Sequence, residues 1–151
     1  RLDGIEKLVE TTKKEGGKIL CGGKKPANFN KGYYFEPTIF DEVKDNFTIM
    51  KEEPFGPIVP ILTFKSFEEV IERANNNDLG LCSYIYTNDL RKATKASELM
   101  ETGCVAVNTA AVAVAEAPFG GIKQTGYGRE GGSMAIKDYL NIKYTHFGIS
   151  Y

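Results

Sequence analysis

The run Ile58–Thr109, IVPILTFKSFEEVIERANNNDLGLCSYIYTNDLRKATKASELMETGCVAVNT, decides the fold class. It opens on Ile58–Phe64, an apolar, β-branched segment that reads as a strand. Ser66 with Glu69 three residues on forms a capping box, and Phe67, Val70, Ile71 and Ala74 then share one helical face. The polar run Asn75–Gly80 stops that helix. Leu81–Thr87 reads as a second strand, and Asp89 can cap a second helix reaching Glu101 and closed by Gly103. Cys104–Thr109 is a third strand. Strand, helix, strand, helix, strand implies two right-handed βαβ crossovers and a parallel sheet, which is an α/β fold.

Upstream, Leu2, Ile5, Leu8 and Val9 follow helical spacing until Gly16-Gly17. Arg1 is not Met and the helix begins without a lead-in, so the chain reads as a piece of something longer. Lys18–Cys21 is a short strand, and 24–32 is a polar, exposed loop. Tyr33–Phe40 is rich in aromatic and β-branched residues, but Pro37 confines it to an edge strand or a bulge. Asp41–Thr48 is a polar connection, followed by Met50-Lys-Glu-Glu-Pro-Phe-Gly-Pro57, whose prolines forbid helix and stiffen a turn.

Downstream lies Ala117–Gly132, APFGGIKQTGYGREGG, with six of the chain's 16 glycines. Pro118, Phe119, Ile122 and Tyr127 give it apolar anchors that a flexible spacer lacks, so it reads as a binding loop. It follows Asn108-Thr109 at the carboxyl end of the third strand, where open α/β sheets bind ligands. Ser133–Tyr139 can form a short helix, and Leu140–Phe147 alternates as a last strand.

With 151 residues, 42% hydrophobic and 26% charged, the composition is that of a globular chain able to bury a core. A net charge of −1 points to neither a nucleic-acid nor a membrane partner. No apolar run approaches the roughly 20 residues of a membrane-spanning helix. Three widely spaced cysteines, Cys21, Cys82 and Cys104, without a CxxC pair, suit a reducing cytoplasm and argue against disulfides or zinc. All three fall in expected strands and read as buried, inert thiols. His146, the single histidine, lacks a partner at metal-ligand spacing.

Pro118-Phe119-Gly120-Gly121, followed by Lys123, Gly126, Gly128 and Arg129-Glu130, closely resembles the C-terminal signature of the NAD(P)-dependent aldehyde dehydrogenases. Glu52-Glu53-Pro-Phe-Gly-Pro57 is the second carrier of that resemblance, which covers about Leu2 to Ile149. It implies that residues 1–139 are the C-terminal portion of the catalytic domain and 140–151 an oligomerisation β-arm. By resemblance, Glu53 binds the nicotinamide ribose hydroxyls of NAD or NADP and Phe55 lies against the nicotinamide ring. The physics agrees: a carboxylate accepts two hydroxyl hydrogen bonds, and an aromatic face packs on a planar ring. The alternative is a solvated acidic turn with a buried aromatic. Glu130 resembles a family glutamate assisting proton relay, and Arg129 a structural arginine at a subunit contact. A surface ion pair beside a turn is the alternative for those two. Phe119 matches an aromatic lining the aldehyde tunnel, a role compatible with packing under the loop.

The chemistry implied by the resemblance is oxidation of a small-molecule aldehyde to an acid through a cysteine thioester. The family's nucleophile and general base both precede the start of this chain, so the chain alone is expected to be inactive. The loop signature and Tyr139–Tyr144 are most similar to the succinate-semialdehyde dehydrogenase branch, which implies that substrate or a related semialdehyde. One departure is Ala113, which stands where that branch has a serine holding the substrate carboxylate; the run Ala110–Ala115 offers no side-chain donor. The C-terminal segment resembles an arm that reaches a neighbouring subunit, which implies a homodimer or homotetramer; pairing within the chain is the alternative. A non-catalytic interaction module is the competing functional reading.

Overall fold

Ile5, Leu8 and Val9 form the buried stripe of α1 (Leu2–Lys14) in a computed structural model that describes residues 1–149. Thr12 extends the stripe at 0% exposure, and its hydroxyl donates to the Leu8 carbonyl at 2.8 Å. That bond removes most of the cost of burying a polar group. Asp3 in the first turn and Lys13 and Lys14 in the last complement the helix dipole.

The chain divides into two units, Arg1–Val70 and the residues from Ile71 onward. In the first, β1 (Lys18–Cys21) pairs antiparallel with β2 (Thr38–Asp41), and β2 pairs parallel with β3 (Ile58–Pro60). β2 is therefore the middle strand and Phe40 is fully buried, which corrects the edge position expected for Tyr33–Phe40. The strand starts only after Pro37, so the missing N–H never faces a ladder. The irregularity lies in β1 instead, between Ile19 and Cys21.

β3 is also shorter than the expected Ile58–Phe64, ending at Pro60, although Ile61 N–H still donates to the Phe40 carbonyl at 2.9 Å. The connection expected to be merely polar supplies Val43 and Phe47 to the core, and Ile49 follows from a short 3-10 turn. The Glu15 carboxylate accepts from Thr48 N–H and, at 2.6 Å, from its hydroxyl, fixing the start of that turn. Burying each of these side chains stabilises the unit by roughly 1.5–3 kcal/mol.

α2 (Phe67–Asn75) begins as expected at Ser66, whose Oγ accepts from Glu69 N–H at 3.1 Å. Glu69 Oε2 accepts from Lys65 N–H at 2.8 Å, one residue before the N–H that a capping box uses. Phe67, Val70 and Ile71 are half-buried and Ala74 is exposed.

In the second unit the expected strand Leu81–Thr87 is found as the shorter β5 (Cys82–Ile85), and β4 (Leu79–Gly80) lies in the run expected only to stop the helix. β4 pairs antiparallel with β7 (Ile122–Lys123) in the glycine-rich loop, and β5 pairs parallel with β6 (Cys104–Val107). α3 (Leu90–Leu99) makes the crossover and packs on both β5 and β6. The Asp89 carboxylate accepts from Arg91 and Lys92 N–H at 3.0 and 3.2 Å, the cap read from sequence.

The pair of crossovers expected from sequence is thus corrected. Among the described residues β5–α3–β6 forms a βαβ unit, whereas β3 takes β2 as its neighbour. Local pattern marks a segment as extended without naming its ladder partner. A 3-10 turn spans Ala135–Tyr139, and residues 140–149 are exposed with no strand partner among the described residues. Residues 150 and 151 of the expected arm lie outside the described residues.

Candidate functional site

The glycine-rich loop is held by backbone meeting backbone. Phe119 and Glu130 form an antiparallel bridge, with Phe119 N–H donating to Glu130 O at 2.7 Å and Glu130 N–H to Phe119 O at 2.8 Å. A Cβ at Gly103 would lie 1.9 Å from Gly120 O, so only glycine lets the start of β6 approach the loop this closely. Gly132 N–H donates to Ala115 O at 2.9 Å, which folds the alanine run back on the Gly131-Gly132 turn. Ala113, Phe119 and Glu130 therefore belong to one local fold-back, with Ala113 and Glu130 exposed and Phe119 half-buried.

Arg129 braces this arrangement from its own chain. Its Nη1 donates to Gly121 O at 2.8 Å and Gly128 O at 2.7 Å. These are charge-assisted bonds to loop carbonyls, a role for Arg129 that the sequence reading did not contain.

Two further residues anchor the chain, one at the end of β6 and one within the loop. Asn108 has φ +55°, and its side chain grips Thr87, accepting from its N–H and donating to its carbonyl, both at 2.9 Å. Asparagine tolerates that left-handed backbone, and the clamp fixes where the chain leaves β6. Lys123 Nζ donates to the carbonyls of Asn75 and Asn77 and pairs with Glu101 Oε2 at 2.6 Å. A cation on carbonyls at the end of α2 is favoured by the helix dipole. The motif quoted Lys123 without revealing this, since its partners are distant in sequence.

In the first unit the Glu53–Pro57 turn is tightened by Phe55 N–H donating to Glu53 O at 3.1 Å and Gly56 N–H to Pro54 O at 2.6 Å. Phe55 is 64% exposed among the described residues. The Arg1 guanidinium lies 5.2 Å from its ring centroid. The Glu53 carboxylate is exposed and has no hydrogen bond or ion pair among the described residues.

The cysteines differ from their expected burial. Cys21 is exposed, and Cys82 and Cys104 are half-buried. Cys82 and Cys104 are register partners across β5 and β6. Burial first, and then the neighbouring Cys104 thiol, push the Cys82 thiol above its ordinary pKa. The signal for that pairing was present in the sequence, because both expected parallel strands carry a cysteine near their start. His146 Nδ1 lies 3.2 Å from the Tyr144 hydroxyl, and no metal-ligating cluster occurs among the described residues. None of their helices is long and apolar enough to cross a membrane.

Residues 1–145 match the model of the aldehyde dehydrogenase family. A chloroplastic betaine aldehyde dehydrogenase from Beta vulgaris is 43% identical over 148 residues, covering 98% of this chain and 30% of that protein. Among solved structures, the NAD+ complex of an aldehyde dehydrogenase from Bacillus cereus aligns with a TM-score of 0.90 and 42% identity, over 94% of this chain and 28% of that one. A succinate-semialdehyde dehydrogenase from Burkholderia pseudomallei aligns at 0.89 and 38%, over 95% and 30%. The chain thus spans under a third of the length of each of these relatives.

Proposed function

The chain belongs to the aldehyde dehydrogenase family, and from that premise we propose that it is the C-terminal portion of an enzyme oxidising an aldehyde to a carboxylic acid with NAD or NADP. The observation that carries the proposal is the family match over residues 1–145, which includes both motifs quoted above. When bound, the nicotinamide cofactor accepts the hydride. The residues here suit holding it: Glu53 offers an exposed carboxylate, unpartnered among the described residues, for ribose hydroxyls, and Phe55 a ring exposed enough to pack on nicotinamide.

Phe119 and Glu130 serve the aldehyde side, Phe119 as tunnel lining and Glu130 in proton relay. Their reciprocal backbone bonds fix one against the other, and the Arg129 brace keeps the loop shaped. The thiol nucleophile and general base come from outside these residues. The substrate is a semialdehyde or an aldehyde with a different polar tail or none. Ala113 and its neighbours offer a carboxylate tail no side-chain donor, so selectivity for succinate semialdehyde over uncharged aldehydes of similar length is expected to be small.

Residues 140–149 expose Ile142 at 102%, Tyr144 at 84% and Phe147 at 83%, which supports a role as an intersubunit strand in a homodimer or homotetramer. Aldehyde-dependent NAD(P)H formation by the full-length protein, with the 151-residue chain as control, tests the assignment. Activity in the full-length protein and none in the isolated chain is expected; an inactive full-length protein across a broad aldehyde panel contradicts it. Deleting 141–151 should lower the oligomeric mass in light scattering, and an unchanged mass removes the arm from assembly.

A further inference from the structure

β5 and β6 each begin with a cysteine, and the parallel register sets Cys82 opposite Cys104. In-register partners on adjacent parallel strands project from the same face of the sheet. Neighbouring strands lie about 4.8 Å apart, inside the roughly 4.4–6.8 Å Cα separation that a disulfide spans. Cys104 N–H donates to Leu81 O at 3.0 Å, so the ladder is closed right at the pair. Both thiols are free and neither is fully buried. Cys104 Sγ also lies 3.7 Å from Gly120 O, in the loop that carries Phe119.

We propose that Cys82 and Cys104 form a vicinal dithiol site, closing to a disulfide with peroxide and capturing trivalent arsenicals when reduced. In the oxidation, one thiol takes an oxygen from hydrogen peroxide, becoming a sulfenic acid and releasing water. The second sulfur then attacks the first, forming the S–S bond and releasing the sulfenic oxygen as a second water. The two thiols lose two electrons and two protons, and peroxide is reduced to water. Arsenical capture needs no oxidant: each thiol exchanges its proton for an As–S bond, and the arsenic oxygen leaves as water. The site is separate from the thioester chemistry proposed above and does not depend on it.

The test uses the full-length protein. After mild hydrogen peroxide treatment and blocking with N-ethylmaleimide, non-reducing peptide mapping should find Cys82 joined to Cys104, a link that dithiothreitol removes. Cys82→Ser and Cys104→Ser should each abolish the link. In the unmutated, reduced protein, phenylarsine oxide should protect both residues from alkylation together, an arm that holds even if the variants fail to fold. Full alkylation of both thiols after peroxide and after the arsenical, or a link from either to Cys21, overturns the proposal.

Discussion

The first unit hides bulky side chains, Phe40 at 0% and Val9 at 1% exposure, whereas the buried hydrophobics described in the second are alanines: Ala93, Ala96 and Ala106, each at 5%. The first is held by side-chain volume in a three-stranded sheet backed by α1. The second is held by close backbone approach, by hydrogen bonds through the glycine-rich loop, and by the Asn108, Arg129 and Lys123 clamps. The difference says which kind of change each unit resists. Removing volume should hurt the first, and adding it should hurt the second.

The largest expected effect follows from emptying the first core. Phe40→Ala should destabilise by about 3–5 kcal/mol, read as a fall in the urea midpoint of the full-length protein. A shift no larger than that of a surface substitution would show that Phe40 is not central to this unit. Next comes the reverse experiment. Gly103→Ala places a methyl against Gly120 O and should cost about 1–3 kcal/mol. It should also lower kcat/KM, because the displaced loop carries Phe119 and Glu130. A variant of normal stability and activity would mean that the loop does not depend on that close approach.

The same substitution at Gly4 sharpens the contrast. Gly4 lies within α1, and a Cβ there meets nothing within 4 Å. Gly4→Ala should therefore stabilise by about 0.5–1 kcal/mol, opposite in sign to Gly103→Ala. Equal signs would mean that glycine's local environment is not what separates the units.

How much of this could be read in advance depended on whether the cause was local. The α1 stripe and the Asp89 cap are statements about residues three or four apart, and both appear as expected. That β2 sits in the middle of its sheet is a non-local fact, and Pro37 misled because the strand begins one residue after it. Val43 and Phe47 lie in a run without periodicity, so their burial left no pattern to find. At the candidate site the residue identities of Glu53, Phe55, Phe119 and Glu130 came from resemblance alone. The Phe119–Glu130 bridge and the Arg129 and Lys123 clamps needed coordinates, because they join residues across a turn or between distant segments.

The central claim is that the turn at Glu53 meets the cofactor, and equilibrium binding of NAD+ and NADP+ to the full-length Glu53→Gln variant tests it most directly. The substitution keeps volume and removes the charged acceptor, so loss of its ribose hydrogen bonds should weaken the preferred cofactor by about 1–3 kcal/mol, roughly 5- to 150-fold in Kd. Hydride transfer in a single turnover should slow, with the melting temperature unchanged. A variant that binds both cofactors and transfers hydride like the unmutated protein would contradict the account.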